Sequence, residues 1–324
     1  MEQETGDRQA GKRPAGGKKA HMSGKKEHRM SLAFGGQAVI EGVLMRSRNF
    51  TVVCVRTEDG KIQKSVERLD PADARHKALG YPLIRGIYAL FETMYVGIKA
   101  LYKSANMTLE EEGEQIKPGE MAATVAFAVI LAILFFAVIP FFATQWLNVK
   151  GLVFNVIEGV IRLVIFLIYI ALISLAPQFR RVLQYHGAEH TAINIFEAGK
   201  DLQAGSAVKG MRLHPRCGTS FIIIVLVMSI LIFSVMPDMG MLVNFSYRIL
   251  FIPVIGGLSY EVLKFSDRHK DSGIMKALVA PGVWLQRLTT KEPTGDMVEV
   301  ALEAVREVVR LEGERARGFK DEKT

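Results

Sequence analysis

Residues 121–145 read MAATVAFAVILAILFFAVIPFFATQ, a run without a single charged side chain that closes on Trp146. A bilayer asks for about 20 consecutive apolar residues from a helix, so this run predicts a membrane span. Working outward, 151–176 is a second apolar run, 219–236 a third that ends before Pro237, and 241–262 a fourth. The fourth is the most interrupted, holding Asn244, Arg248, Pro253, Gly256 and Gly257. The expected fold class is therefore a mainly α integral membrane protein. It would have about four transmembrane helices, a small cytoplasmic β unit and amphipathic helices.

Composition agrees. The chain has 324 residues, is 49% hydrophobic and carries a net charge of +8. The segment between the second and third runs, 177–218, holds Arg180, Arg181, Lys200, Lys209, Arg212 and Arg216, whereas 146–150 and 237–240 together hold only Lys150. The positive-inside rule then places both termini and the 177–218 loop in the cytoplasm, at a cell membrane crossed several times. The positive excess reads as loop charge facing the bilayer surface, and no nucleic-acid partner is expected. Two cysteines, Cys54 and Cys217, make no disulfide framework and suit a reducing compartment.

Ahead of the spans, 1–32 is polar and basic with no apolar segment, and reads as a disordered tail. The cap expected over 33–120 begins with β-rich stretches at 37–46, 50–56 and 61–69, the last two joined by the turn signal Asp59-Gly60. Residues 82–103 form an apolar helical stripe flanked by Arg85, Glu92, Lys99 and Lys103. It is too charged to cross a bilayer and suits an interfacial helix or one packed on the membrane domain. The acidic stretch 110–120 reads as a linker. Beyond the membrane domain, 121–262, the segment 263–312 holds an apolar-basic strip at 281–292, with Trp284 and Arg287. An amphipathic helix at 296–312 follows, expected to pack on the β unit, and 313–324 is expected as a disordered tail.

The chemistry lies in the middle loop. Residues 185–190 read YHGAEH and contain H-x-x-E-H. On a helix His186 and His190 share a face one turn apart, a spacing that lets two imidazoles hold one metal ion. Metallopeptidases of the inverzincin type use this order. Glu189 would be the general base or a ligand, and Asn194 and Glu197 would orient the imidazoles. The competing reading is that these side chains anchor a helix at the membrane surface. The same loop closes on HPRCGTS at 214–220, where His214 and Cys217 are candidate ligands, or where Thr219 or Ser220 caps the third span. Glu261, at the inner end of the fourth run, is a further candidate third ligand, or else a carboxylate paired with Arg268 or Lys264. Within the membrane, Glu158 and Arg162 are four apart and Arg248 falls at a comparable depth, which predicts a structural cluster. The three glycines around 35–42 admit close backbone approach.

Taken together, GGQAVIEGVLMR at 35–46, Arg85-Gly86, YHGAEH, HPRCGTSF at 214–221, SYE at 259–261 and PGVWLQRLTTKEP at 281–293 resemble the bacterial domain-of-unknown-function 1385 family. The resemblance covers about 33–311. It implies an integral membrane protein of a group described as predicted metal-dependent enzymes, and its motifs fall on His186, Glu189, His190, His214 and Cys217. The functional expectation is a metal-dependent enzyme, a hydrolase at the cytoplasmic membrane face using a divalent ion, zinc first. The alternative is a non-enzymatic adaptor or regulator that docks another membrane protein.

Overall fold

A computed structural model describes residues 34–70, 77–109, 115–207, 210–215, 217–269 and 272–321. The tail at 1–32, residues 110–114 of the expected linker, Lys209 and Arg216 lie outside these residues.

Four antiparallel strands form one meander in the order β1 (Gly35–Val39), β2 (Gly42–Arg46), β3 (Phe50–Arg56) and β4 (Ile62–Arg68). The stretch 37–46 is thus two strands, where one was expected. The chain reverses at Ile40-Glu41, with Val39 opposite Gly42 and Glu41 in the left-handed region at φ 50°. No glycine or asparagine marks this turn. It is held by its contacts instead: Arg56 N–H donates to the Glu41 carbonyl at 2.8 Å, and the Glu41 carboxylate receives Arg181. Asp59-Gly60 turns β3 into β4 as expected, with Gly60 at φ 82°.

Side chains alternate across the sheet and both faces are covered. Leu44, Val53, Val55 and Val39 pack with Ala100 of α1 (Ile84–Leu109). Val43, Met45, Val52 and Cys54 pack on α4 (Pro177–Glu197) and α9 (Gly295–Asp321). Double coverage explains why FTVVCVR is apolar without alternation. β4 is an edge, and its burial does alternate; Lys64 and Glu67 on it engage Glu303, Lys99 and Lys103. Helix α9 runs to Asp321, through the segment expected as a tail. Arg310 pairs with Glu307 and Glu314 there, and side-chain pairs one turn apart extend a helix beyond its packed part.

Helix α2 (Pro118–Trp146) and α3 (Gly151–Ile173) are long and apolar enough to cross a membrane. α5 (Gly218–Ser234) is apolar but has 17 residues. The fourth run is two helices, α6 (Met241–Leu250) and α7 (Ile252–Arg268), bent by 47°. Pro253 lies in the first turn of α7, where its missing N–H is harmless, whereas within a continuous helix it would break one hydrogen bond. Among the described residues there are therefore two membrane-capable helices, or three if the bent pair counts as one span. Gly86 and Gly257 let α1 and α7 touch along their backbones: a Cβ on Gly86 would press on the Gly257 carbonyl. α8 (Gly273–Thr289) packs on α5 through Gly282, opposite Ser220.

The three charges expected within the membrane meet. Arg162 Nη2 donates to Glu158 at 2.6 Å and Arg248 Nε to the other carboxylate oxygen at 2.9 Å. A proline completes the arrangement. Pro140 has no N–H to give the Phe136 carbonyl, the helix widens to a π turn over Leu134–Val138, and Arg162 Nε donates to that carbonyl at 2.7 Å.

Candidate metal centre

Helix α4 carries the histidine pair. Tyr185, Ala188, Ala192, Ile195 and Phe196 on its apolar side belong to the core shared with α9 and the sheet. That packing holds the helix, and its polar side meets Arg212, Cys217 and, at the end of α8, Thr289. Gly187 is required where the chain after α8 crosses: a Cβ there would strike the Lys291 carbonyl, and Lys291 N–H donates to the Leu183 carbonyl at 2.9 Å.

His186 Nδ1 lies 2.8 Å from the Thr289 carbonyl, and His190 Nδ1 lies 2.7 Å from the Arg212 carbonyl. A carbonyl only accepts, so each Nδ1 carries the proton and donates it. In the neutral ring this leaves the Nε2 lone pair unprotonated. The two rings stand 4.5 Å apart, and His186 Nε2 lies 3.3 Å from Cys217 Sγ. One ligand atom each from His186, His190 and Cys217 fall within 4.8 Å of one another. Two atoms on one ion at ~2.0–2.3 Å can be no more than about 4.6 Å apart, so small movements would seat all three. The thiol is buried at the start of α5, where it serves as the N-cap and accepts from Thr219 N–H at 3.5 Å. Neither Thr219 nor Ser220 takes that place.

Glu189 sits beside this group, buried, its Oε2 3.6 Å from His190 Nε2 and 4.0 Å from His186 Nε2. Burial pushes its carboxyl above the usual carboxylate range, against the opposing pull of His186 and His214. Strand β1 closes over it. Gly36 has no side chain because a Cβ would lie 2.6 Å from Glu189 Cγ and Oε1.

The other candidates fall elsewhere. His214 is buried next door, its ring centroid 5.9 Å from that of His190 and its Nε2 3.5 Å from Glu197. Its backbone is clamped by Gln286, which donates to the His214 carbonyl at 2.7 Å and accepts from its N–H at 2.8 Å. Glu261 is remote in partnership. Arg85 of α1 grips it with Nε at 2.6 Å and with Nη2, so neither the ligand role nor pairing with Arg268 or Lys264 describes its main contact. The guanidinium holds the Glu261–Arg85 pair across α1 and α7. The Thr289 and Arg212 carbonyls, rather than Asn194 and Glu197, receive the Nδ1 protons of His186 and His190. Asn194 instead holds the loop, donating to the Met211 and Leu213 carbonyls at 2.6 and 3.0 Å.

Gly36 is one of the glycines expected to admit a close approach, whereas the residues that sequence reasoning passed over at this site are Arg212, Gln286 and Thr289. Two of them act through main-chain carbonyls, which no residue type announces. A fully buried Gln286 inside an apolar stretch was the one available signal.

The model of a family described as "protein of unknown function (DUF1385)" matches residues 81–311. The chain belongs to this family. A Bacillus subtilis (strain 168) relative, printed as uncharacterized protein YqhQ, is 34% identical over 307 residues, covering 88% of this chain and 95% of the relative. No solved structure matches.

Proposed function

We propose that the protein is a metal-dependent membrane enzyme, a hydrolase, with a divalent ion, zinc first, held by His186, His190 and Cys217. The observation that carries this reading is the paired tautomer: both Nδ1 atoms are committed to carbonyls, which turns two Nε2 lone pairs and one sulfur toward a common point. Polar anchoring of a helix would satisfy the imidazoles without that convergence. Three protein ligands leave a tetrahedral ion one open position, the pattern of catalytic rather than structural sites. When bound, such an ion supplies Lewis acidity and lowers the pKa of water. Beside such an ion Glu189, close to both Nε2 atoms, would serve as the group that holds or passes a proton, and β1 and the apolar core screen its carboxylate from bulk water. The substrate would be a membrane-proximal peptide or a lipid-linked molecule.

The reading places the site at the cytoplasmic face of a four-span bundle with both termini inside. α5 is about 25 Å long at 1.5 Å per residue and would cross with its flanking residues, and the α6–α7 pair would cross as a broken span. The loop arginines supply the orientation.

Metal analysis of detergent-purified full-length protein tests the proposal. Wild type should carry close to one equivalent, lost in His186→Ala/His190→Ala. Cobalt(II) reconstitution should give a thiolate-to-metal charge-transfer band that Cys217→Ser abolishes. Wild type that takes up no metal under non-chelating conditions overturns it and leaves the histidines as anchors.

A further inference from the structure

A cavity lies at the end of α5 opposite Cys217, about 25 Å along the helix from it. Its volume is about 280 Å³ and it is lined by Lys150, Asn155, Asn244, Tyr247 and Arg248, with Ser234 at the end of α5. Behind its wall the charges do not balance. Helices α3, α5 and α6 carry one carboxylate, Glu158, against two guanidiniums, Arg162 and Arg248. Glu158 is 2% exposed and the Arg248 side chain 9%. At the rim, Asp238 offsets Lys150 and is itself tied to Asn244 Nδ2 at 2.8 Å and to Gly240 N–H at 3.1 Å. The sum at this end is one positive charge in excess.

An uncompensated charge in a low-dielectric bundle is costly, and such charges are normally paired. Arg248 spends three of its five N–H groups on protein: Nε on Glu158, Nη1 on the Asn244 carbonyl at 3.1 Å and Nη2 on Asn155 Oδ1 at 2.8 Å. The guanidinium is set against the rings of Phe141, Phe154 and Phe233, which fixes its plane. It is a pre-organised cation at the wall of a polar cavity, where the Asn244 amide and the Tyr247 hydroxyl already donate to Asp238 Oδ1 and Met239 Sδ. Helices α3 and α6 also begin at the cavity, at Gly151 and Met241, and neither start carries a side-chain cap; their positive dipole ends add to the same sign.

We propose that this cavity binds a small oxyanion, a carboxylate or phosphate group, through Arg248. The anion neutralises the excess charge that Glu158 leaves. A free anion and a phospholipid headgroup share this chemistry, and the size of the cavity admits either.

The test uses full-length protein in uncharged detergent, stripped of metal so that the histidine site contributes nothing. Sodium phosphate is titrated calorimetrically at constant ionic strength made up with chloride. Wild type should bind saturably. Arg248→Gln, which leaves the Glu158–Arg162 pair balanced, should bind about tenfold more weakly or worse, the loss expected for a charge-assisted contact. Ser234→Leu keeps every charge and fills the cavity, and should weaken binding comparably; it decides the matter if Arg248→Gln does not fold. In phosphatidylcholine nanodiscs, added phosphatidylglycerol that displaces phosphate assigns the site to a headgroup, and its failure to do so assigns a free anion. The proposal is overturned if wild type binds neither phosphate nor phosphatidylglycerol saturably, or if both variants bind as wild type does.

Discussion

Replacing Gly36 by alanine adds one methyl group on β1 and should disturb a residue on α4. The new Cβ would lie 2.6 Å from Glu189 Cγ and Oε1 and 2.8 Å from its Cδ. Carbon atoms settle at about 3.5–4.0 Å, so Glu189 must retreat by about 1 Å. It has little room to do so, since its side chain is 6% exposed and its carboxylate faces both imidazoles. Overpacking of this kind costs about 1–3 kcal/mol. Gly35→Ala is the matched control, because a Cβ there meets nothing within 4 Å. The assay is thermal unfolding in detergent for Gly35→Ala, Gly36→Ala, Glu189→Ala and the double variant Gly36→Ala/Glu189→Ala. Gly36→Ala should melt well below wild type and Gly35→Ala should not. In the double variant the methyl should cost almost nothing beyond Glu189→Ala, giving a coupling of at least ~1 kcal/mol between residues far apart in sequence. Additive effects, or equal losses at Gly35 and Gly36, would refute the claim that β1 forms the lid of this site.

Three further outcomes follow from the geometry. Burial pushes the Cys54 thiol up to about 12, so in native protein it should resist iodoacetamide; labelling of Cys54 before unfolding contradicts the core assigned here. Gly86→Ala should destabilise by about 1–3 kcal/mol through the α1–α7 contact, while Gly119→Ala, with nothing within 4 Å, should be neutral by the same melt. Lys64 beside Glu303 holds that carboxyl below its ordinary value. A depressed pKa contributes stability above the unfolded carboxylate value, about 4.3, and that contribution is lost as pH falls through the lowered one. Lys64→Gln should therefore flatten the acid limb of the melting profile, and an unchanged limb would dismiss the pair.

The parts of this molecule that could be read from its sequence are those carried by periodicity and side-chain type. The apolar runs, the H-x-x-E-H spacing and the pairing need of Glu158, Arg162 and Arg248 are of that kind. What could not be read depends on partners distant in the chain. Glu261 looked like a ligand because its depth matched; its partner Arg85 lies 176 residues earlier. The Glu41 turn carries no turn residue and is held by Arg181, on a helix that packs against the sheet. Asn194 and Glu197 had the right chemistry to orient the histidines, but main-chain carbonyls of Arg212 and Thr289 do so instead, and every residue type offers one. The fourth span was read across Pro253 as continuous, and the 47° bend follows from the N–H that proline lacks.

The sheet draws its cover from the far end of the chain, and this sets a timetable for synthesis. β4 ends at Arg68, while the α9 residues that seal the Val43, Met45, Val52 and Cys54 face begin at Met297, roughly 230 residues later. At ~5–20 residues per second the ribosome needs about 10–50 s to supply them. Through that interval a finished hairpin array with an open apolar face waits while the membrane helices are laid down. The chain's last helix is then the latch that ends its exposure to chaperones and proteases, so a truncation before Met297 should be cleared from the cell even though every candidate ligand has already been made.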